Sequence, residues 1–253
     1  MKKSLNIRIK SPEELKILRD AGKILAGIFE EIKRSFKVGM TTADIDRMAE
    51  ELIARNNVLP AFKGYRGYPA CACVSVNEVI VHGIPGARVV KEGDIVSIDI
   101  GIIYREYFSD MAMTLGAGSL APSTQKLLDV TRQALARGIE QARSGRKLGE
   151  VSHAIQKYAE AKGFSVVRDF VGHGIGLELH EDPEIPNYGP ANDGPVLKPG
   201  MVLAIEPMVN AGMFETKTLE DGWTVITKDK KWSAHFEHTI AVTESGPVVL
   251  TQV

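Results

Sequence analysis

Four acids stand in apolar runs, where a charge is least expected. Asp99 closes Ile95-Val96-Ser97-Ile98, and Asp110 interrupts Phe108-Ser109-Asp110-Met111-Ala112. Glu206 follows Met201-Val202-Leu203-Ala204-Ile205 and precedes Pro207, and Glu237 lies inside His235-Phe236-Glu237-His238-Thr239-Ile240. Each run reads as a core strand, and a buried carboxylate without a partner is strongly destabilising. A strand-end salt bridge explains any one of them, but the flanking runs hold too few lysines and arginines to explain all four. Two divalent cations would balance four carboxylates. His173, in Val171-Gly172-His173-Gly174-Ile175-Gly176, supplies a nitrogen ligand between glycines that let backbone approach closely. Oxygen donors with one imidazole suit cobalt, manganese, iron(II) or zinc better than copper, and bridging carboxylates hold two ions close together. Such a pair activates water for hydrolysis.

The elements that must position these groups follow from capping and periodicity. Ser11-Pro12-Glu13-Glu14 supplies an N-cap, a proline at the first helical position and a capping-box glutamate, and Leu15, Leu18, Ile24, Leu25 and Ile28 follow at helical spacing. Further helices are expected from near Thr42, over Ser123 to about Ala142, and over Leu148 to Ala161. Two strand-rich blocks, roughly 70–116 and 164–253, follow these helical pairs. Each holds His-Gly-Ile, at His82 and His173, then a glycine, an apolar run and an acid six residues on: Gly93 to Asp99 and Gly200 to Glu206. This predicts two αβ halves built on one plan and facing each other around a site, within a single domain spanning 1–253. A hairpin turn centred on Tyr104-Arg105 would set Asp99 directly opposite Asp110 on one face.

The five candidate ligands, spaced by 11, 63, 33 and 31 residues, resemble those of the methionine aminopeptidases. The likeness to the type I branch runs along nearly the whole chain: Gly64-Tyr65-Arg66-Gly67-Tyr68-Pro69, Ser75-Val76-Asn77-Glu78, His82-Gly83-Ile84-Pro85, Ala204-Ile205-Glu206-Pro207, Asp221-Gly222-Trp223 and Phe236-Glu237-His238-Thr239. Glu206 follows His180 by only 26 positions, which leaves no space for the helical insertion of type II enzymes. The resemblance implies an α+β pita-bread fold, two pseudo-symmetric αβ halves whose central antiparallel sheet is covered by helices. It also implies excision of the initiator methionine from nascent chains, preferentially when the second residue is small. By the same resemblance Asp99 chelates one ion, His173 and Glu206 hold the other, and Asp110 and Glu237 bridge them. His180 would stabilise charge on the substrate carbonyl, His82 would contact the peptide beyond the scissile bond, and Glu206 would move the proton. Tyr65, Tyr68, Cys73 and Trp223 match positions lining the methionine pocket. Arg66 and Leu179 depart from the family, standing where histidine and an aromatic are usual.

With 31 basic and 32 acidic residues among 253, the net charge of −1 gives no field to attract DNA or a membrane surface. No run is long enough to span a bilayer, and the basic start lacks an apolar stretch after it, so a cytoplasmic monomer is expected. Cys71 and Cys73, two residues apart on one strand face, do not meet disulfide geometry and read as buried thiols in a reducing compartment. His235 shares a strand face with Glu237, His238 points to the other side, and His153 is read as solvated on its helix. Lys2-Lys3 and the string Lys228–Lys231 read as exposed surface or turn, with transient ribosome contact the weaker alternative. The competing functions are a prolidase-like Xaa-Pro peptidase, which carries an added N-terminal domain, and a non-catalytic pita-bread binding module, which would have lost a ligand.

Overall fold

The computed structural model describes residues 5–252. Four helices, α1 (Pro12–Ser35), α2 (Thr42–Arg55), α3 (Pro122–Gln141) and α4 (Gly149–Ala161), stand in pairs as the periodicity predicts. The two helices of the first pair open on capping boxes. Ser11 Oγ accepts the Glu14 amide at 3.2 Å while the Glu14 carboxylate accepts the Ser11 amide at 2.7 Å, and Thr41 and Asp44 repeat the exchange for α2. The second oxygen of Glu14 accepts the Tyr107 hydroxyl at 2.9 Å, tying the start of α1 to the central hairpin. The Ser11 amide first, and then the tyrosine, hold the Glu14 carboxyl below its usual range. A lowered folded pKa means stability that is present above the ordinary glutamate value and lost as pH falls through the folded one. Glu14→Ala, which removes the carboxylate that accepts both donors, is therefore expected to cost about 1 kcal/mol near neutral pH. Urea melts should show the gap from the parent protein narrowing at pH 3.

Nine strands form the central sheet. In chain order they are β1 (Leu59–Pro60), β2 (Ala72–Val76), β3 (Ile95–Tyr104), β4 (Tyr107–Gly116), β5 (Gly172–Gly174), β6 (Glu181–Ile185), β7 (Val202–Ile205), β8 (Glu237–Thr243) and β9 (Gly246–Val249). The order across the sheet is β1-β3-β4-β8-β7-β5-β6, with β2 beside β3 and β9 beside β8. All these pairings are antiparallel. The halves join where β4 meets β8, with Glu237 opposite Ala112. Each half has its own helix-on-sheet core: Leu25, Phe29, Ile45 and Ile53 pack on Val96, Ile98 and Ile100 in the first, and Leu127, Leu135, Val151 and Ile155 on Leu203, Ile205 and Ile240 in the second. The glycines that open the repeated runs, Gly93 and Gly200, share left-handed backbone at φ 86° and 87°. The two runs thus turn into the sheet the same way, and this is the pita-bread fold.

The hairpin register corrects one expectation. The turn falls on Arg105-Glu106, both at positive φ (48° and 70°), so Tyr104 pairs with Tyr107, Asp99 with Ala112 and Asp110 with Gly101. A tight two-residue hairpin needs this left-handed pair to match strand twist, and it forms here without glycine or asparagine. The shift is by two residues, so both acids keep the same face and sit diagonally instead of directly opposite. Diagonal neighbours lie roughly 7–8 Å apart at Cβ against about 5 Å for opposed ones, which eases the repulsion. Cys71 and Cys73 are free and buried. Lys228, Lys230 and Lys231 are exposed around a turn with Lys230 at φ 62°, while Lys2-Lys3 lies outside the described residues. No helix among the described residues is long and apolar enough to cross a membrane.

Candidate metal centre

Strand alternation alone carries all five groups to one face. Asp99, Ala112 and Glu237 form a row across β3, β4 and β8, and Asp110 lies two residues along from Ala112. On the other side His173, Ala204 and Thr239 form a parallel row across β5, β7 and β8. Glu206 follows Ala204 by two and Glu237 precedes Thr239 by two, so both join the same face. Small side chains at Ala112 and Ala204 leave space between the acids. Thr239 locks the join: its hydroxyl accepts the Asp110 amide at 3.1 Å and donates to the Asp110 carbonyl at 2.7 Å.

The side chains converge as the strands require. One ligand atom each from Asp110, His173 and Glu237 lies within 4.8 Å of the others, and all three residues are buried. His173 Nε2 is 3.5 Å from Glu206 Oε1 and 4.0 Å from Asp110 Oδ2. Half-buried Asp99 and Glu206 close the cluster on its pocket side. Burial first, then the neighbouring Asp110 and Glu206, pushes the Asp99 carboxyl well up. Burial likewise raises Asp110 to about 7, against the lowering pull of the Met111 amide and Asp99, and moves Glu206 and Glu237 far upward, these two further lifted by the acids around them. No lysine or arginine makes an ion pair with any of the four among the described residues.

The histidine decides what the cluster lacks. His173 Nδ1 is 2.9 Å from the Gly174 carbonyl, which can only accept, so Nδ1 carries the proton. Burial lowers the ring's pKa to about 4 and keeps it neutral. Its Nε2 lone pair then faces carboxyl oxygens at 3.5 and 4.0 Å, too long for good hydrogen bonds, an arrangement that repels when the acids are ionised unless a cation lies between them. Asp99 Oδ1, Glu237 Oε1 and the Nε2 of His235 likewise have no hydrogen-bond partner in the protein. Unpartnered oxygens, an imidazole lone pair and uncompensated negative charge together fit divalent ions of the manganese, iron, cobalt or zinc class.

A cavity of about 170 Å³ opens onto the five groups and is walled by Phe62, Tyr65, Tyr68, Cys73, Leu179 and Trp223. A larger groove of about 1020 Å³ between α1 and α3 lies behind the sheet and, among the described residues, holds no second such cluster. Tyr68 turns its hydroxyl away to the Gly83 and Ala72 carbonyls at 3.0 and 3.2 Å and packs edge-on against Trp223 at 5.1 Å. The face it leaves for the cavity is apolar. His180 lies at the mouth with its ring 4.3 Å from that of His173, and the Tyr65 hydroxyl is 2.9 Å from its Nδ1. Burial of its inner edge, then His173, Arg66 and His82, lower its pKa to about 3. His82 takes left-handed backbone at φ 57° and stands edge-on to Phe170 at 5.4 Å and Trp223 at 6.1 Å.

Every residue singled out for the site lines this one cavity, Arg66 and Leu179 included. His235 approaches Glu206 Oε2 at 3.7 Å, while His238 turns away to Thr251 and His153 is exposed on α4. Phe62 and Phe170 carry no signal in the sequence that separates them from core aromatics.

A family model describing metallopeptidase family M24 matches residues 16–244. The chain belongs to metallopeptidase family M24. Among relatives of this M24 chain, methionine aminopeptidase 1 of Bacillus subtilis (strain 168) is 55% identical, with 96% of this chain and 98% of that one covered. A methionine aminopeptidase of Clostridium perfringens is 49% identical over 98% and 99% of the two chains. The crystal structure of methionine aminopeptidase from Thermotoga maritima superposes at a TM-score of 0.96 with 47% identity, covering 98% of this chain and all (100%) of that one. A prolidase from Pyrococcus furiosus also shares the fold at a TM-score of 0.79 and 26% identity. The match spans 97% of this M24 chain but only 65% of that prolidase, so a substantial part of the prolidase has no counterpart in this chain.

Proposed function

We propose that this chain is a metal-dependent aminopeptidase of type I that removes methionine from the N-termini of peptides and newly made proteins. The observation that carries the reading is the neutral His173, its free lone pair set among four carboxylates that no cationic side chain balances. Asp99, Asp110, His173, Glu206 and Glu237 would hold two divalent ions, cobalt, manganese, iron(II) or zinc. When bound, the ions supply an attacking water ionised near neutral pH and Lewis-acid polarisation of the scissile carbonyl.

The chain's own groups would do the rest. Glu206, at the pocket edge with His235 behind one oxygen, is placed to take a proton from water and pass it to the leaving amine. With the Tyr65 hydroxyl donating to Nδ1 of neutral His180, the ring proton is assigned to Nε2, where it can hydrogen-bond the developing oxyanion. His82 would contact the peptide beyond the cleaved bond. The aromatic walls and Cys73 suit an unbranched thioether, whose sulfur packs well on ring edges. Such an enzyme would act in the cytoplasm as a monomer, with nascent chains as its partners and transient ribosome contact through exposed lysines.

With manganese or cobalt, the purified protein is expected to release methionine from Met-Ala-Ser and to leave its N-acetylated form intact. Cleavage of Xaa-Pro dipeptides with none of Met-Ala-Ser would turn the reading toward a prolidase-like enzyme. Ion binding without cleavage of either would turn it toward a binding module.

A further inference from the structure

His180 stands at the end of a short loop, Ile175 to His180, and the residue after it does something the reaction does not account for. Glu181 is buried, its side chain 4% exposed, and one carboxylate oxygen accepts the backbone amides of Leu177 at 2.8 Å and Glu178 at 3.3 Å. The loop is thereby folded around a buried negative charge. The compensating cation comes from far away in sequence: Lys10, equally buried at 4%, donates to the other oxygen at 2.6 Å. Arg8 is 3.9 Å from the carboxylate but half-exposed, so Lys10 is the close partner.

The clamp is built into both strands of chain that it joins. The Lys10 amide donates to the Gly200 carbonyl at 2.8 Å, and the next residue, Ser11, caps α1. A Cβ on Gly176 would come within 2.6 Å of Lys10 Cε and 2.7 Å of Glu181 Oε1, so the ion pair lies directly against the loop's backbone. On its other side the Gly176 carbonyl accepts the Phe108 amide at 2.8 Å, fastening the loop to the hairpin that carries Asp110.

We infer that Lys10 and Glu181 are positioning residues for His180: the buried pair holds the Gly176–His180 loop so that the imidazole meets the substrate carbonyl. The inference rests on the proposed aminopeptidase function for its kinetic consequence, though not for its structural one. Removing the lysine leaves a buried carboxylate without a cation, which would relax by drawing water in and loosening the loop. A displacement of that kind should be felt when charge develops on the oxyanion and not in ground-state binding.

Lys10→Met is expected to lower kcat on Met-Ala-Ser by about tenfold to a hundredfold with KM little changed, in line with the cost of misplacing a catalytic group by an ångström. In a His180→Ala background the same substitution should have almost no further effect, because there is no imidazole left to position. Losses that multiply in the double variant, or a wild-type kcat in Lys10→Met, would overturn the inference. Lys10→Met/Glu181→Gln keeps an acceptor oxygen for both amides and buries no charge, so it should fold and regain most of the lost kcat. Failure of this paired variant to recover would also count against the clamp. Amide hydrogen exchange separates the two readings: in Lys10→Met the Leu177 and Glu178 amides should exchange faster whether or not the enzyme acts on methionine. Unchanged exchange there overturns the positioning role even in an active enzyme, whereas inactivity of the parent protein on Met-Ala-Ser counts only against the function.

Discussion

Asp99→Asn is expected to lower kcat/KM by about a thousandfold or more, because it removes a ligand from a centre whose ions supply most of the catalytic power. The same change should make the metal-free protein more stable. Asp99 is half-buried, one of its oxygens has no partner, and burial followed by Asp110 and Glu206 raises its pKa strongly. Asparagine keeps the shape and removes the charge, so the repulsion goes and the packing stays. A gain of about 1 kcal/mol is the scale at which relieving a strained functional site repays stability. The parent protein should regain the advantage when ions are added, by about 2.7 kcal/mol for an ion at a hundred times its dissociation constant. Thermal melts with chelator and with manganese, run beside the peptide assay, check all three. Unaltered turnover in Asp99→Asn, or a lower melting temperature without metal, would contradict this view of the cluster.

His180→Ala is expected to reduce kcat by about 10²–10³-fold, the usual cost of deleting one oxyanion donor, with KM moving little. The imidazole lies at the cavity mouth, is kept neutral by its surroundings, and is oriented by Tyr65 through a 2.9 Å hydrogen bond. A neutral ring with a fixed N–H can donate without first losing a proton. Since charge appears on the carbonyl only as the bond breaks, the interaction should be realised in the transition state. Steady-state kinetics on Met-Ala-Ser would separate the alternatives: a raised KM at constant kcat would make His180 a binding residue only.

Much of this site could be read from residues because its physics is local. A carboxylate at the end of an apolar run advertises an unpaid desolvation cost wherever the strand lies, and Asp99, Asp110, Glu206 and Glu237 each carry that sign. The start of α1 was legible for the same reason, since Ser11 with Glu14 closes its capping box within four residues. The hairpin register was misjudged by two residues because Arg105-Glu106 adopts left-handed backbone without the residues that usually mark it. Facial alternation has a period of two, so the error left both acids on the correct face. What stayed hidden depends on long-range partners. Lys10 and Glu181 are 171 positions apart, and nothing beside either residue says that the other neutralises it. Phe62 was equally silent, because an aromatic that lines a pocket looks the same in sequence as one that fills a core.

The most direct test is anomalous X-ray diffraction from crystals of the protein prepared with manganese or cobalt. Two peaks are expected within bonding distance of Asp99, Asp110, His173, Glu206 and Glu237, with the acids of β4 and β8 between them. Crystals showing no ion among these five side chains, or ions bound only on the outer surface, would contradict the assignment.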